Sequence, residues 1–340
     1  MEIIRTFNRP FCSVCNSSGF ELYSGLIDRL YGASGEWNFV KCTNKKCNTI
    51  WINPAPIEED LFMAYQNYYT HSDLNPPKKN SLRKLFNLAQ ESYLSKKYQY
   101  PSSPFKYLYL VMYFIPLRKS ATDFKVMFLE NMKGNILDIG CGNGDFLLFM
   151  KSKGWDVTGI DSDLKAVAQA QSKGLNVING YMLDQKFEDN KFNAIVLSHL
   201  IEHLYDPYKI LTECKRILKR NGKLVIATPN NASLGHFVFR QNWRGLEPPR
   251  HINIFSISSL HSIVTKSGLE ETRIFTIPRI AADIFSNSMK IKSGQKNIPA
   301  PRMATALKIF ASFFATLESW LNIFFPSIGE EIILIAKKKE

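Results

Sequence analysis

Four cysteines stand in two pairs near the start of the 340-residue chain, as Cys12-x2-Cys15 and Cys42-x4-Cys47. Two thiolate pairs on two chain turns can complete a tetrahedral Zn2+ site, and a module this small draws much of its folding free energy from such a metal. Four thiolates leave no open coordination position, so the expected role is structural. The first pair has the usual knuckle spacing, and the second is longer by two residues. The alternative is four buried thiols without a metal.

A second constellation is Asp138-Ile139-Gly140-Cys141-Gly142-Asn143-Gly144. Alternating glycines let the backbone turn sharply and approach a ligand without interference from Cβ, at the carboxyl end of an apolar run that reads as a parallel strand. A dinucleotide fold prefers G-x-G-x-x-G, where a helix N-terminus holds a pyrophosphate. Here the spacing is G-x-G-x-G after an acid, and an acid suits a cationic ligand such as S-adenosylmethionine, which carries an ammonium and a sulfonium. Asp161 ends the next strand in GIDSD, where a carboxylate can accept from two ribose hydroxyls. Asp184 is placed to meet an adenine amino group, with Met182 and Leu183 flanking the ring.

A third group follows later strands: His199-Leu200-Ile201-Glu202-His203, and then Trp243-Arg244-Gly245-Leu246-Glu247-Pro248-Pro249-Arg250-His251. Loops at such strand ends are expected to face one cleft. His251 can then act as general base for an acceptor hydroxyl, its ordinary pKa of about 6.5 lying near working pH. In a second reading His199, Glu202, His203 and His251 bind Mg2+ or Mn2+, which fixes a vicinal diol and lowers the acceptor pKa. Trp243, Arg244 and Arg250 suit sugar stacking and phosphate contact. Cys141 and Cys214 read as packing residues.

These groups need a scaffold. From Gly134 onward short apolar runs alternate with helix-like stretches: NILDIG, DVTGID, LNVING, FNAIVLSH and KLVIATPN, with ETRIFTIP and EIILIAKK completing the set. Strands alternating with helices predict a parallel, doubly wound α/β sheet. The intervening helices are DFLLFMKSKG, DLKAVAQAQSKG, DPYKILTECKRILKRNG and SISSLHSIVTKSG, with glycine at their exits. The expected organisation is a zinc module over 1–56, a helical connector or cap over 57–131, and an α/β domain over 132–340 with a helical insertion at about 280–328.

The segments ILDIGCGNGDFL, GIDSD, FNAIVLSHLIEHLYDP and RILKRNGKLVIATPN resemble the successive motifs of class I S-adenosylmethionine-dependent methyltransferases. The resemblance implies a Rossmann-like, seven-stranded sheet. It also implies that Asp138, Gly140, Cys141, Gly142, Gly144, Asp161, Ser162, Met182, Leu183 and Asp184 surround S-adenosyl-L-methionine, with Ser198 and His199 at the start of the fourth-strand loop. The stretches CSVC, KCTNKKCNTIWINPAP and AYQNYY resemble the N-terminal zinc module of methyltransferases from bacterial sugar and surface-polysaccharide pathways. The H-x-x-E-H cluster resembles the E-x-x-E-H arrangement of ubiquinone-pathway O-methyltransferases and small-RNA ribose methyltransferases, with His199 in place of the first Glu.

The implied function is methyl transfer to a sugar hydroxyl of a nucleotide- or lipid-linked glycan intermediate in cell-surface polysaccharide biosynthesis. O-methylation of a quinone or phenolic precursor is the alternative. Lys and Arg outnumber Asp and Glu by 43 to 30, a net charge of +13. Much of the excess sits in Lys78, Lys79, Arg83, Lys84, Lys96, Lys97, Arg118 and Lys119. The balance favours an anionic acceptor or acidic lipid. A nucleic-acid-binding protein is the non-enzyme alternative and ranks last, since no base-reading basic helix or RNA-binding signature accompanies the charge.

The N-terminus does not read as a signal peptide, and the cysteine usage fits a reducing, cytoplasmic compartment. Phe105–Ile115 is too short to span about 30 Å of hydrocarbon, and Ala304–Phe325 carries Lys308 and Glu318. The expectation for both is burial in a helical cap, and the alternative is a surface helix lying on the inner face of a membrane.

Overall fold

The computed structural model describes residues 3–65, 81–101, 107–294 and 305–339. Lys78, Lys79, Phe105 and Ala304 lie outside the described residues, as does the side chain of Arg83. The N-terminal strands are β1 (Thr6–Phe7), β2 (Gly19–Leu26), β3 (Trp37–Cys42), β4 (Ile50–Ile52) and β5 (Ala55–Pro56). Helices α1 (Ser81–Tyr98) and α2 (Pro116–Lys125) follow. The alternating stretch runs β6 (Asn135–Ile139), α3 (Asp145–Ser152), β7 (Asp156–Asp161), α4 (Leu164–Ser172), β8 (Asn176–Asn179), β9 (Phe192–Ser198), α5 (Pro207–Ile217) and β10 (Leu218–Pro229). The chain continues through α6 (Leu234–Phe239), β11 (Asn253–Ile254), α7 (Ile257–Lys266), β12 (Leu269–Ile277), α8 (Ala281–Lys292), α9 (Thr305–Phe324) and β13 (Glu331–Lys338).

Every apolar run that reads as a strand from Gly134 onward is one. Seven strands form a Rossmann-like sheet in the order β12-β13-β10-β9-β6-β7-β8. Ile136, Leu137, Ala194, Ile195, Val225, Ile226, Ile333 and Leu334 are all fully buried, as expected of interior strands covered on both faces. β6 pairs in parallel with β7 on one side and β9 on the other. The strand order therefore reverses beside β6, where such sheets bind ligands at their carboxyl ends.

Local chemistry sets the helix ends. Asp163 caps α4 by accepting from the N–H groups of Lys165 and Ala166, and Ser256 and Ser259 form a reciprocal capping box on α7. Helix α5 stops at Ile217 and not at the predicted exit, Gly222. The carbonyls of Arg216 and Ile217 accept from the backbone N–H groups of Asn190 and Lys191, which takes them out of the helical ladder. Between β12 and β13, where the sequence predicts a helical insertion, lie α8 and α9.

Packing groups the chain into two compact units, one from residues 1–68, 199–215 and 226–336, the other from 69–198, 216–225 and 337–340. In the first unit an antiparallel sheet runs β11-β4-β3-β2, with Asn253 opposite Trp51 and Phe39 opposite Ile52. Trp37, Phe39, Ile50 and Ile52 share a core with Phe239, Trp243, Leu246, Ile254 and Ile284. Residues 1–56 therefore share both sheet and core with residues 239–284. In the second unit, α1 and α2 are joined through buried Asp123, which accepts from Tyr93 and Tyr98 at 2.8 Å each and pairs with Lys97 at 2.9 Å.

Candidate functional site

In the second unit β6 delivers Asp138 into a loop whose three glycines all have left-handed backbone, with φ of 76° at Gly140, 53° at Gly142 and 76° at Gly144. Gly140 and Cys141 donate to the Ile160 carbonyl at 2.8 and 3.1 Å, which anchors the loop on β7. Asp161 then closes it. Its Oδ2 accepts from the Gly142 N–H at 2.8 Å and its Oδ1 from the Asp163 N–H at 2.9 Å. A Cβ on Gly144 would come within 2.6 Å of Leu175 Cδ1 and 2.9 Å of Ala170 Cβ, whereas one on Gly142 would meet nothing within 4 Å. Gly144 is thus required by conformation and packing together, while Gly142 leaves open space. Gly144→Ala is expected to destabilise the protein by about 1–3 kcal/mol, read as a lower denaturant midpoint at unchanged slope.

Asp138 is buried and its Oδ1 has no hydrogen-bond partner. Burial, and then the charge of Asp161, hold its carboxyl well above the usual carboxylate range. Burial also raises Asp161, against the N–H donors of Asp163 and Gly142. Two carboxyls made costly to ionise by burial, beside open space at Gly142, favour an incoming cation. Ser162 is exposed, and its carbonyl, like that of Asp161, accepts from Asn179 Nδ2. After β8, Met182 is buried, while Leu183 and Asp184 are exposed; Ser198, ending β9, is half-buried.

His199, Glu202, His203 and His251 all belong to the first unit. His199, with φ of 53°, places Nδ1 3.2 Å from Glu202 Oε1 and Nε2 2.8 Å from Glu331 Oε1. Arg279 binds Glu331 through Nε at 3.0 Å. Burial pulls the His199 imidazole down, but Glu202 and Glu331 together raise it to about 9. Both of its ring nitrogens are occupied by carboxylates, so His199 does not join the other three as a metal ligand.

Glu202, His203 and His251 do converge, each offering a donor atom within 4.8 Å of the others'. His203 Nδ1 lies 2.9 Å from the Arg250 carbonyl and 3.1 Å from the Tyr65 hydroxyl; His251 Nδ1 lies 2.7 Å from the Gly245 carbonyl. Donation to those carbonyls fixes the tautomer in which Nε2 is the lone-pair nitrogen of both rings. The rings meet edge to face at 4.9 Å. Burial, followed by the neighbouring His203, holds His251 well below 6.5, and burial lowers His203 as well. Both imidazoles are neutral at pH 7, the form that accepts a proton or binds a metal.

Three neighbours assigned to substrate by sequence are structural. Trp243 is buried, donates to Glu330 Oε2 at 3.1 Å and stacks on His236 at 4.7 Å. Arg250 is 0% exposed and binds Glu247 Oε1, the Ala64 carbonyl and Asp28 Oδ2 at 3.1, 2.7 and 2.8 Å. Arg244 is buried against Glu247. Their side chains are engaged in these internal contacts. Sequence reasoning missed Glu331, Arg279, Tyr65 and Thr228, which donates to Glu202 Oε2 at 3.0 Å. They are remote in the chain from the residues they hold, so no local signal announces them.

The four N-terminal thiols also meet in the first unit. Cys12 and Cys47 Sγ are 3.7 Å apart, Cys15 and Cys42 Sγ 3.4 Å, and all four lie within 4.8 Å of one another. The hydrogen bond from Cys47 lowers Cys12 to about 5 and raises Cys47. The Val14 N–H points at Cys12 Sγ from 3.4 Å, and Ser256 Oγ and Lys266 Nζ donate to the Cys47 and Val14 carbonyls. Both turns carrying the pairs are therefore pinned from α7. Cys141 and Cys214 are buried, in keeping with packing roles.

A family profile described as a methyltransferase domain matches residues 117–273. The chain is 31% identical over 156 residues to a ubiquinone biosynthesis O-methyltransferase of Glaesserella parasuis, covering 43% of this chain and 64% of that one. It is 34% identical over 104 residues to a demethylmenaquinone methyltransferase of Thermotoga maritima, covering 29% of this chain and 45% of the relative. In both cases it spans less than two thirds of the relative's length. Among solved structures, a SAM-dependent methyltransferase from Archaeoglobus fulgidus is 21% identical with a TM-score of 0.43, over 72% of this chain and 98% of the other.

Proposed function

We propose that the protein, whose residues 117–273 match a methyltransferase domain profile, transfers a methyl group from S-adenosyl-L-methionine to a sugar hydroxyl of a nucleotide- or lipid-linked glycan intermediate in cell-surface polysaccharide biosynthesis. The observation that carries the cofactor reading is the buried Asp138, with unpartnered Oδ1, beside a loop of left-handed glycines that Asp161 holds in place. The cofactor's sulfonium supplies an activated methyl, so the protein's work is to align the acceptor oxygen and take its proton. Asp138 would receive the cationic end of the cofactor, and Asp161, Ser162, Met182, Leu183 and Asp184 would hold its nucleoside. His251 takes the acceptor proton on Nε2, with the Gly245 carbonyl fixing the tautomer.

The glycan reading is favoured by the cysteine turns, which we assign to one structural Zn2+. A second reading, methylation of a quinone or phenolic precursor, is favoured by the two curated relatives. For either acceptor, Mg2+ or Mn2+ at Glu202, His203 and His251 is the alternative to a metal-free base.

Mass spectrometry of extracts from cells lacking the gene separates the acceptors. The expected result is a glycan lighter by one methylene, and a quinone precursor lacking a methyl beside an unchanged glycan would establish the second reading. Asp161→Ala is expected to weaken S-adenosylmethionine binding by about two orders of magnitude, because a charge-assisted hydrogen-bond pair is worth about 3 kcal/mol. Calorimetry giving wild-type affinity in a folded Asp161→Ala protein would remove Asp161 from the site.

A further inference from the structure

His203 and His251 stand on separate turns, and the distance between their rings depends on what ties those turns together. Backbone supplies one tie. The Ile252 N–H donates to the Glu202 carbonyl at 2.8 Å, and the Ile252 carbonyl accepts from the Ile52 N–H of β4 at 3.2 Å. A side chain two residues beyond His251 supplies another. Asn253 is fully buried, and its Nδ2 donates at 2.7 Å to the carbonyl of Leu204, the residue that follows His203.

The other end of this carboxamide faces the first cysteine turn. Asn253 Oδ1 accepts from Ser13 Oγ at 3.0 Å, between Cys12 and Cys15, and from Arg9 Nη2 at 3.4 Å. Arg9 is held in turn, its N–H donating to Asn53 Oδ1 at 2.7 Å and its carbonyl accepting from Trp51 Nε1 at 2.8 Å. Trp51 lies opposite Asn253 where β4 pairs with β11. Donors at one end and a carbonyl at the other allow a single orientation of the amide. No other side chain of this size offers both: leucine has neither group, and aspartate has acceptors alone. Either end left unpaired in this buried place costs free energy, so the two ends move together or not at all.

We propose that Asn253 is a positioning residue that transmits the seating of the Cys12–Cys15 turn to the imidazoles of His203 and His251. It touches no reacting atom. Its consequence for methyl transfer rests on the acceptor-side reading of His251 given above.

The test is NMR of the full chain labelled at histidine nitrogen, with the two signals assigned by His203→Gln and His251→Gln. In the wild type both rings are expected as neutral Nδ1–H tautomers, held by the Arg250 and Gly245 carbonyls. Asn253→Asp keeps the shape and the Ser13 and Arg9 contacts but sets an acceptor against the Leu204 carbonyl, whereas Ser13→Ala removes the opposite end. Each variant is expected to shift or broaden both ring signals and to leave that of exposed His261 in place. On the true acceptor, each should lower kcat by about tenfold or more at unchanged S-adenosylmethionine affinity. Wild-type ring signals in folded Asn253→Asp or Ser13→Ala protein overturn the proposal, and if Asn253→Asp does not fold, Ser13→Ala decides alone. Full turnover of His251→Ala beside displaced ring signals in the other two variants would strike the base reading and leave the coupling standing.

Discussion

If the four thiols hold the proposed zinc, Cys12→Ser is expected to remove it and to unfold the antiparallel sheet that carries the cysteines. A tetrahedron with Zn–S bonds of about 2.3 Å has S···S edges of about 3.8 Å, and the Cys12–Cys47 and Cys15–Cys42 Sγ atoms lie 3.7 and 3.4 Å apart. Structural zinc contributes an apparent 10–16 kcal/mol, roughly, in small zinc-dependent folds, comparable with the whole stability of a domain. The loss would not stay local. Strand β4 pairs with β11, and Ile50 and Ile52 share a core with Trp243 and Ile254, so melting the cysteine turns exposes that core as well. Elemental analysis of protein purified without added metal should give one zinc per wild-type chain and none in the variant, with rapid proteolysis of the variant's N-terminal region. A wild type that is folded and metal-free would end the zinc assignment.

His251→Ala is expected to lower turnover by about 10² to 10⁴ while leaving S-adenosylmethionine affinity almost unchanged. Its Nδ1 is committed to the Gly245 carbonyl, so proton abstraction falls to Nε2. Because burial holds its pKa well below 6.5, the imidazole is already a free base at neutral pH. Activity should therefore be flat through neutrality and fall only as pH drops into the depressed range, where the base becomes protonated. If Glu202, His203 and His251 instead hold Mg2+ or Mn2+, chelator should abolish activity and the added ion restore it, and His203→Ala should cost as much as His251→Ala. Full activity of His251→Ala on its true acceptor would leave this histidine a packing residue.

Much of the scaffold was legible because the signals are local. Alternating apolar runs and glycine exits place all seven strands of the sheet, and the run from Asp138 to Gly144 specifies a left-handed loop whatever surrounds it. The strand-end position of Asp161 was equally readable, but its hold on the Gly142 N–H emerged only from the pairing of β6 with β7. The four cysteines announced their convergence by spacing alone. Helix α5 was misjudged at its end, because the carbonyls of Arg216 and Ile217 are claimed by Asn190 and Lys191, and no local propensity encodes that competition.

Sequence by itself thus determined the elements and the residues at their ends, through backbone conformations and hydrogen bonds made within a few residues. Tertiary structure decided what those residues do. It assigned Trp243 and Arg250 to a buried network, tied His199 to Glu331 and Arg279, and paired the cysteine-bearing sheet with Asn253 and Ile254. It also turned the large side chains of α9 outward, where amphipathic spacing alone predicts burial. The physical reason is that burial and ion pairing depend on which distant segments arrive at the same place, and periodicity carries no information about a partner eighty or more residues away.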